Sequence, residues 1–403
     1  MRILYVCHRF PFPPARGGKI RPFNTIKHLS RQHEVIVASL ARSAEEAEAG
    51  RGIAPHCSDF LMGEVRAPAA WMRMIARLPT RGPSSMGYFY DPGLARQIEA
   101  RLQQERFDLI FVHCSSVAPY VSRVGGVPKL LDFGDMDSQK WLTYRHFKPF
   151  PLSLGYWLEG SKMAAAERAL AGRFDCCTCT TRSELEALLS LQVPTPCDWF
   201  PNGVDQHFFA PSAEPYDADA ICFVGRMDYF PNQQAMQRFC DEVFPLVRGE
   251  RRTAKLTIIG AEPSAEIRRL GERDGITVSG TVADVRKPVQ RAAVSVAPLV
   301  IARGTQNKIL ECMAMGVPVI ASPEAAGGVD AVPGEHLLVA RTPQDYADKL
   351  LRLMRNPSDR QALAAAGRAR VETHHSWTAS MAKLDHIIAG CLHRYNSGDK
   401  RPA

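Results

Sequence analysis

A lysine and a glutamate three positions apart, Lys308 and Glu311, carry the clearest chemical signal in the sequence. They lie in residues 294–322, VSVAPLVIARGTQNKILECMAMGVPVIAS, whose pattern predicts a buried strand, a glycine-containing loop, a helix from Asn307 and a second buried strand. Residues three apart share one face of a helix, and a helix N-terminus offers unpaired N–H groups to an anion. We therefore expect Asn307 and Lys308 to bind phosphates and Glu311 to bind sugar or ribose hydroxyls.

A second group of candidates follows strands near the N-terminus. Gly17 and Gly18 come after the apolar run at 2–7, where glycines let a ligand approach the backbone closely, and His113 ends the apolar run at 108–113. Ligands of open α/β sheets bind beyond the carboxyl ends of the strands, which suits all three residues. An ordinary loop and a structural histidine are the alternative interpretations.

The elements that must position these residues form two alternating series. Apolar runs at 2–7, 34–40, 108–113, 129–133 and 174–180 alternate with helical patterns, and a second series has runs at 219–225, 256–260, 276–279, 294–298 and 317–321. This alternation predicts an α/β fold of two Rossmann-like domains. The turn-rich segment PNGVD, residues 201–205, predicts the crossing between them. We expect an N-terminal domain at 1–200, a second domain at 201–375 and a C-terminal helix at 376–403.

Length and composition agree with a two-domain globular protein. The chain has 403 residues, of which 45% are hydrophobic, and a formal net charge of +8. Residues 1–200 hold 25 Lys and Arg against 19 Asp and Glu, so this half is the expected face for an anionic partner such as a membrane surface; we expect no nucleic-acid partner. The eleven cysteines, scattered through predicted elements, favour reduced thiols in a cytoplasmic protein. The chain opens directly on a strand, so no secretory signal is expected.

Two aromatic segments have two interpretations each. Residues 69–78, AAWMRMIARL, predict a helix with Trp71, Met74, Ile75 and Leu78 on one face, which is either a basic amphipathic helix on an anionic membrane or a helix that packs on the core. Residues 141–157 are rich in aromatic side chains and precede a helix expected from about Glu159. They form either an acceptor-facing or membrane-facing surface or a bulky packed loop.

Two short patterns resemble metal sites but are poor ones. Asp135 and Asp137 have DxD spacing, which turn and helix-cap chemistry explains equally well. Cys176 and Cys179 have CxxC spacing, but on a strand they would face opposite sides of the sheet. We expect no metal site.

Three motifs together resemble one enzyme family. Residues 201–205 (PNGVD), 223–226 (FVGR) and 304–322 (GTQNKILECMAMGVPVIAS) resemble the linker, the phosphate-binding strand end and the donor motif of the retaining GT-B enzymes of glycosyltransferase family four. The segments RGTQNKILECMAMG and GRMDYFPN are most similar in sequence to the subgroup associated with PEP-CTERM/exosortase exopolysaccharide loci.

The resemblance implies a fold and a reaction. It implies two domains facing each other across a cleft, with the C-terminal helix returning to the first, and transfer of a sugar from a UDP-sugar or GDP-sugar to a saccharide or lipid-linked acceptor, without a cofactor or a metal. Localisation is then cytoplasmic, with peripheral attachment to the inner membrane face. The catalytic positions implied are His113, Arg226, Lys308 and Glu311. The donor-binding positions implied are Gly17, Gly18, Asn202, Gly225, Arg303, Gly304, Thr305, Gln306 and Asn307.

The sequence departs from the family pattern at two places. The family usually has two glutamates eight positions apart; Glu311 is the second, but Arg303 occupies the first position. Either Arg303 contacts an acidic or heavily hydroxylated sugar, or sugar selection is altered. The family also tends to have a lysine about five residues after the arginine that matches Arg226, where this chain has Pro231 and Asn232. We expect Lys308 to supply the missing cation.

Two other functions fit parts of the pattern. A nucleotide-sugar epimerase would share the fold and the donor site but would need no acceptor. A non-catalytic donor-binding partner in a polysaccharide assembly complex would account for Arg303. An NAD-dependent dehydrogenase is disfavoured because no GxGxxG motif follows the first strand.

Overall fold

The computed structural model describes residues 1–14 and 17–398. The chain folds into two compact units. The first unit comprises Met1–Phe200 and the segment from Met381 to the end of the described chain, and the second comprises Pro201–Ser380.

The first unit is built on a seven-stranded parallel sheet. Its strands are β1 (Arg2–Cys7), β2 (Glu34–Ala41), β3 (Asp59–Glu64), β4 (Leu109–His113), β5 (Lys129–Gly134), β6 (Cys176–Cys179) and β7 (Cys197–Trp199). They pair in the order β3-β2-β1-β4-β5-β6-β7. The central strands are apolar runs buried on both faces, as parallel sheets require. The order reverses between β1 and β4, which brings Cys7 level with His113.

Eight helices of the described chain accompany this sheet before the backbone leaves the unit. They are α1 (Gly17–Leu29), α2 (Ala44–Gly50), α3 (Ala67–Arg77), α4 (Ser84–Tyr88), α5 (Pro92–Gln104), α6 (Asp137–Tyr144), α7 (Leu152–Ala171) and α8 (Arg182–Ser190). Side-chain caps fix several starts: Asp91 accepts from the Leu94 N–H at α5 and Thr181 from the Glu184 N–H at α8.

The second unit repeats the design with a six-stranded parallel sheet. Its strands are β8 (Asp217–Val224), β9 (Lys255–Ile259), β10 (Ile276–Gly280), β11 (Ala292–Ala297), β12 (Val319–Ala321) and β13 (Leu338–Val339), in the order β10-β9-β8-β11-β12-β13. Its helices are α9 (Phe230–Arg238), α10 (Phe244–Glu250), α11 (Ala265–Leu270), α12 (Arg286–Gln290), α13 (Asn307–Ala314), α14 (Pro323–Ala326), α15 (Pro343–Arg355) and α16 (Pro357–His374). A π-helical turn, Phe239–Val243, joins α9 to α10.

The last helix, α17 (Trp377–Ser397), begins in the second unit and continues into the first. Within the first unit, His28 bonds to Asp385 at 2.9 Å, and the Lys383 ammonium lies 3.9 Å from the centroid of the Trp199 ring. Residues 399–403, the end of the C-terminal segment expected at 376–403, lie outside the described residues. Among the helices that are described, none has the length together with the apolar character that crossing a bilayer requires.

Candidate functional site

The candidate donor site of the second unit lies where its strand order reverses, between β8 and β11. Gly225 and Arg226 follow β8, and the loop after β11 leads to the N-terminus of α13. Open α/β sheets bind ligands at such a reversal, beyond the carboxyl ends of the strands. The same geometry directs the free N–H groups of α13 towards an anion.

The ammonium of Lys308 reaches from α13 to the end of β8. Its Nζ donates to Asn232 Oδ1 at 2.7 Å, and Asn232 Nδ2 donates to the Arg226 carbonyl at 2.8 Å. A methyl group on Gly225 would lie 2.9 Å from Lys308 Nζ and 2.7 Å from Asn232 Nδ2. The Phe223 ring lies 4.6 Å from the same ammonium. A glycine is therefore required at 225 for the lysine to occupy this position.

Lys308 and Glu311 influence each other's ionisation. Burial lowers the pKa of Lys308 to about 8, and the Glu311 carboxylate opposes this shift. Burial likewise raises the pKa of Glu311 to about 7, opposed by the Lys308 charge. Both groups therefore titrate near neutral pH, which is typical of groups that bind or react.

The loop before α13 presents polar atoms to the same region. Gly304 has a φ of +62°, a conformation that favours glycine, and Gln306 Nε2 donates to the Arg303 carbonyl at 3.2 Å. Thr305 Oγ1 and Asn307 Oδ1 are buried and have no hydrogen-bond partner among the described residues. Buried polar atoms of this kind call for a partner such as a water molecule or a ligand.

Arg226 lies at the end of β8, but two carboxylates hold its guanidinium. It bonds Asp228 through two nitrogens, at 3.0 and 2.9 Å, and Glu262 at 2.6 Å. Its side chain is 37% exposed, so these ion pairs are accessible to solvent. These bonds engage Nε and Nη2, so a diphosphate would meet Arg226 through Nη1 or by replacing one of the two carboxylates. Nothing in the sequence pattern predicted this pairing.

In the first unit, His113 belongs to a buried network centred on Asp132 of β5. Asp132 accepts hydrogen bonds from His113 Nδ1 at 2.8 Å, from Arg21 Nε and Nη2 at 2.8 and 3.0 Å, and from Thr178 Oγ1 at 3.0 Å. Burial alone would raise the pKa of Asp132, but the Arg21 guanidinium and the His113 hydrogen bond outweigh it and hold that pKa well below its usual range. The ionised carboxylate assigns the proton of a neutral His113 to Nδ1, which leaves Nε2 as an acceptor.

Gly17 and Gly18 are the first two residues of α1 and are exposed. A Cβ on Gly18 would make only ordinary contacts, the nearest being 3.8 Å to Arg9 and 3.9 Å to His8. Packing within the unit therefore leaves space for a side chain at position 18. The ring of His8 lies 5.8 Å from that of His113, so α1 begins close to the histidine that ends β4.

Asn202 belongs to the PNGVD segment, which pairs with the chain just before α17. The Asn202 carbonyl lies 3.3 Å from His375 Nδ1, and Val204 forms a parallel bridge with Ser376. A Cβ on Gly203 would lie 2.5 Å from the backbone nitrogen of Trp377, so this contact requires glycine. The contacts described for Asn202 are thus structural, and its role in donor binding stays a prediction.

The DxD and CxxC patterns form no metal cluster in the part of the chain that the structure describes. Asp135 accepts from Thr180 Oγ1 at 2.8 Å, and Asp137, the first residue of α6, accepts from Ser115 Oγ at 3.4 Å. Within residues 1–14 and 17–398, no three His, Cys, Asp or Glu side chains are grouped so that they could hold a metal ion. All eleven cysteines are free thiols.

Comparison with known proteins places both units in sequence families. The family described as "Glycosyltransferase Family 4" matches residues 16–208, and the family described as "Glycosyl transferases group 1" matches residues 218–356. A curated relative from Corynebacterium glutamicum, a GDP-mannose-dependent monoacylated alpha-(1-6)-phosphatidylinositol monomannoside mannosyltransferase, is 38% identical over 80 residues. That alignment spans 20% of this chain and 21% of the relative.

Solved structures match nearly the whole chain. Sucrose-phosphate synthase from Thermosynechococcus elongatus has a TM-score of 0.70 at 15% identity, covering 98% of this chain and 100% of its own. HepE of Anabaena, in a complex with UDP, has a TM-score of 0.69 at 13% identity, covering 97% of this chain and 100% of its own. The likeness confirms the expected α/β fold of two Rossmann-like domains. The solved structures thus show the GT-B fold, and the two family matches show that the chain carries a Glycosyltransferase Family 4 domain at residues 16–208 followed by a Glycosyl transferases group 1 domain at residues 218–356.

Proposed function

We propose that the protein is a retaining glycosyltransferase that moves a sugar from a nucleotide-sugar to a saccharide or lipid-linked acceptor. The observation that carries the proposal is the position of Lys308, whose ammonium lies at the end of β8 beside Gly225. A positive charge there, with the N–H groups of α13 and the unpartnered hydroxyl of Thr305 as donors, suits a diphosphate. Retention of configuration is supported by the sequence resemblance.

In the proposed reaction the anomeric C–O bond to the diphosphate breaks and a bond to the acceptor hydroxyl forms on the same face of the sugar. As the C–O bond breaks, negative charge develops on the departing diphosphate, and an oxygen of that group takes up the proton that the acceptor hydroxyl releases. Lys308 and the N–H groups of α13 stabilise this charge, and Arg226 joins them through Nη1 or after exchanging Asp228 or Glu262 for phosphate. Removing one such donor typically costs about a hundredfold or more in rate.

The remaining positions receive binding roles in the same proposal. Ionised Glu311 accepts hydrogen bonds from the ribose hydroxyls, and Arg303 contacts the donor sugar in place of the usual glutamate. His113 accepts a sugar hydroxyl through Nε2, held in orientation by Asp132. The other proposed donor-binding residues are Gly17, Gly18, Asn202, Gly225, Gly304 and Gln306.

Two relatives support a uridine or guanosine donor. HepE of Anabaena is described in a complex with UDP-glucose, and the Corynebacterium glutamicum relative is named as GDP-mannose-dependent. The sequence similarity of two motifs to the exosortase-associated subgroup supports a role in exopolysaccharide or cell-surface glycan synthesis. We place the enzyme in the cytoplasm, at the inner face of the membrane.

A thermal-shift panel of nucleotides and nucleotide-sugars tests donor binding. A ligand at about 100 times its Kd adds about 2.7 kcal/mol of stability, and the shift should be strongly reduced in Lys308→Met. Incubation of the bound donor with lipid-linked saccharides should then yield a product whose anomeric configuration, read by NMR, matches that of the donor.

The outcomes separate the competing functions. No response to any nucleotide contradicts the proposal as a whole. Donor binding without transfer to any acceptor indicates a non-catalytic donor-binding partner, and conversion of the donor alone indicates an epimerase. An inverted product contradicts only the retaining stereochemistry.

A further inference from the structure

Helix α3 shows its large apolar residues to solvent. The only residue it fully buries is Ala70, and Met74 is half-buried. Trp71, Met72 and Ile75 of the helix and Leu78, which directly follows it, are about three-fifths exposed, at 58, 65, 61 and 60%. A helix that packs on a core does the opposite and buries its large apolar stripe. The core-packing interpretation of residues 69–78 is therefore wrong.

A second exposed apolar segment lies at the start of α7. Phe150, two residues before the helix, is 80% exposed. The exposed side chains that follow it are Leu152, Leu154, Trp157 and Leu158. Part of the aromatic stretch at 141–157 thus faces solvent.

Hydrogen bonds place the two segments side by side. Lys162 Nζ of α7 donates to the Leu78 carbonyl at 2.7 Å, and the Glu159 carboxylate accepts from the Ser84 and Ser85 N–H groups at 3.0 and 2.8 Å. We call the nine exposed residues of the two segments the apolar surface. They are half of the eighteen exposed large apolar side chains among the described residues. Monomeric soluble proteins rarely collect so many in one place.

The two sequence ranges that contain the apolar surface are net positive, although Arg66, at the edge of the first range, pairs with Glu64 at 3.5 Å. Residues 66–90 and 138–158 contain seven Lys and Arg and no Asp or Glu. The first acidic residue after the second range, Glu159, is bonded to Ser84 and Ser85. Since residues 1–200 carry an excess of six positive charges in total, these two ranges account for all of it.

We propose that the apolar surface docks the first unit onto an anionic lipid bilayer. Trp71, Ile75 and Phe150 would enter the interface between headgroups and acyl chains, while the surrounding arginines and lysines meet lipid phosphates. Exposed aromatic and aliphatic side chains in segments with an excess of Lys and Arg match an anionic membrane in both chemistry and sign. Docking itself is independent of the reaction; only its use, in reaching a lipid-linked acceptor, rests on the proposed function.

Flotation of the full chain with lipid vesicles tests the proposal. The protein should float with mixed phosphatidylcholine and phosphatidylglycerol vesicles and much less with phosphatidylcholine alone. A basic residue near such a surface contributes about 1 kcal/mol, which corresponds to about fivefold in affinity, so Arg77→Gln with Arg81→Gln should weaken binding roughly twenty- to thirtyfold at low salt. Trp71→Ser with Ile75→Ser should abolish flotation.

Matched controls separate the surface from general effects. Leu189→Ser removes a 51% exposed leucine from α8 of the same unit, and Arg51→Gln with Arg96→Gln removes two exposed arginines outside the charged ranges. Neither control should change vesicle binding. Because the apolar surface shares no residue with the proposed donor site, all variants should keep the nucleotide-induced thermal shift.

Three results would overturn the proposal. One is failure of the folded wild-type protein to float with anionic vesicles, and another is equal loss of binding in the control variants. The third is a concentration-dependent dimer that forms through Trp71 and Ile75 without lipid affinity, since this would make the surface an interface between two copies. If vesicles bind but no nucleotide does, the docking proposal stands and the proposed reaction does not.

Discussion

The Lys308 ammonium of α13 donates a 2.7 Å hydrogen bond to the Asn232 side chain of α9. Asn232 lies near the position where the family pattern usually has a lysine, and its side-chain amide holds the Lys308 ammonium there, as the proposal that Lys308 supplies the missing cation requires. The amide holds the ammonium without adding a negative charge beside it, as a carboxylate partner would. Asn232 is therefore a positioning residue for Lys308.

Nucleotide affinity should fall further when Asn232 is replaced by a negatively charged residue than by a neutral one. Asn232→Ala removes one hydrogen bond to a charged group, and such bonds contribute about 1.5–3 kcal/mol, so nucleotide affinity should fall roughly ten- to a hundredfold at most. Asn232→Asp should be worse than Asn232→Ala, because a carboxylate would neutralise Lys308. Titration calorimetry with the nucleotide measures both, and Gln344→Ala on the exposed face of α15 is the control. Equal or better binding by Asn232→Asp would show that the Lys308 charge is not used.

Nucleotide binding should have a bell-shaped pH dependence. Lys308, with a pKa of about 8, loses its charge as pH rises through that value, and Glu311, with a pKa of about 7, is protonated as pH falls below it. Affinity should therefore be highest between about pH 7 and pH 8. Binding measured across pH should lose its alkaline limb in Lys308→Met and its acid limb in Glu311→Gln. A profile that neither variant alters would contradict both assigned roles.

The sequence pattern predicted the central strands well because they are apolar and buried on both faces. It did not predict β3, whose sequence DFLMGE has both acidic ends and glycine, and which lies at the sheet edge where burial is partial. It did not predict β13, which has two residues. Helix α7 begins at Leu152 rather than at the expected Glu159. The pattern missed its first two turns because their large apolar residues are exposed and do not form an amphipathic stripe.

The sequence predicted only those parts of the candidate site whose residues are close together in the chain. Lys308 and Glu311 share one short helix, so spacing alone placed them together, whereas Asn232 and Lys308 are 76 positions apart. Asp132 was overlooked because it lies inside a run interpreted as buried strand. A lone aspartate within such a run is a usable signal, since a buried carboxylate needs partners. Its partners Arg21 and Thr178 come from distant elements that only the folded sheet brings together.

Breaking the Asp132 network should destabilise the first unit strongly. Asp132→Ala leaves the Arg21 guanidinium buried without its carboxylate, a change that typically costs about 3–5 kcal/mol. Asp284→Ala, which breaks the more accessible pair with Arg286 and a hydrogen bond from the Arg286 N–H, should cost much less. Urea unfolding followed by circular dichroism compares the two variants. Similar midpoints for both would mean that the buried pair contributes no more than a surface one.

Glu167 should make stability fall as pH rises towards 8. This glutamate of α7 is fully buried; its Oε1 accepts from the Ser138 N–H at 3.1 Å, and its Oε2 has no partner among the described residues. Burial raises the pKa of Glu167 to about 8, from an ordinary value of 4.5. Between those pH values the folded state binds the proton that the unfolded state has released, so the unfolding free energy decreases with increasing pH and levels off above about pH 8.

Glu167→Gln keeps the shape and cannot ionise, so its unfolding free energy should decline less over this range and exceed that of the wild type above about pH 8. Glu242→Gln, at a solvent-exposed glutamate, is the control and should follow the wild-type profile. If the unfolding free energies of the wild type and Glu167→Gln changed in parallel with pH, the carboxyl group would be charged in the folded protein at neutral pH, and the prediction would be wrong.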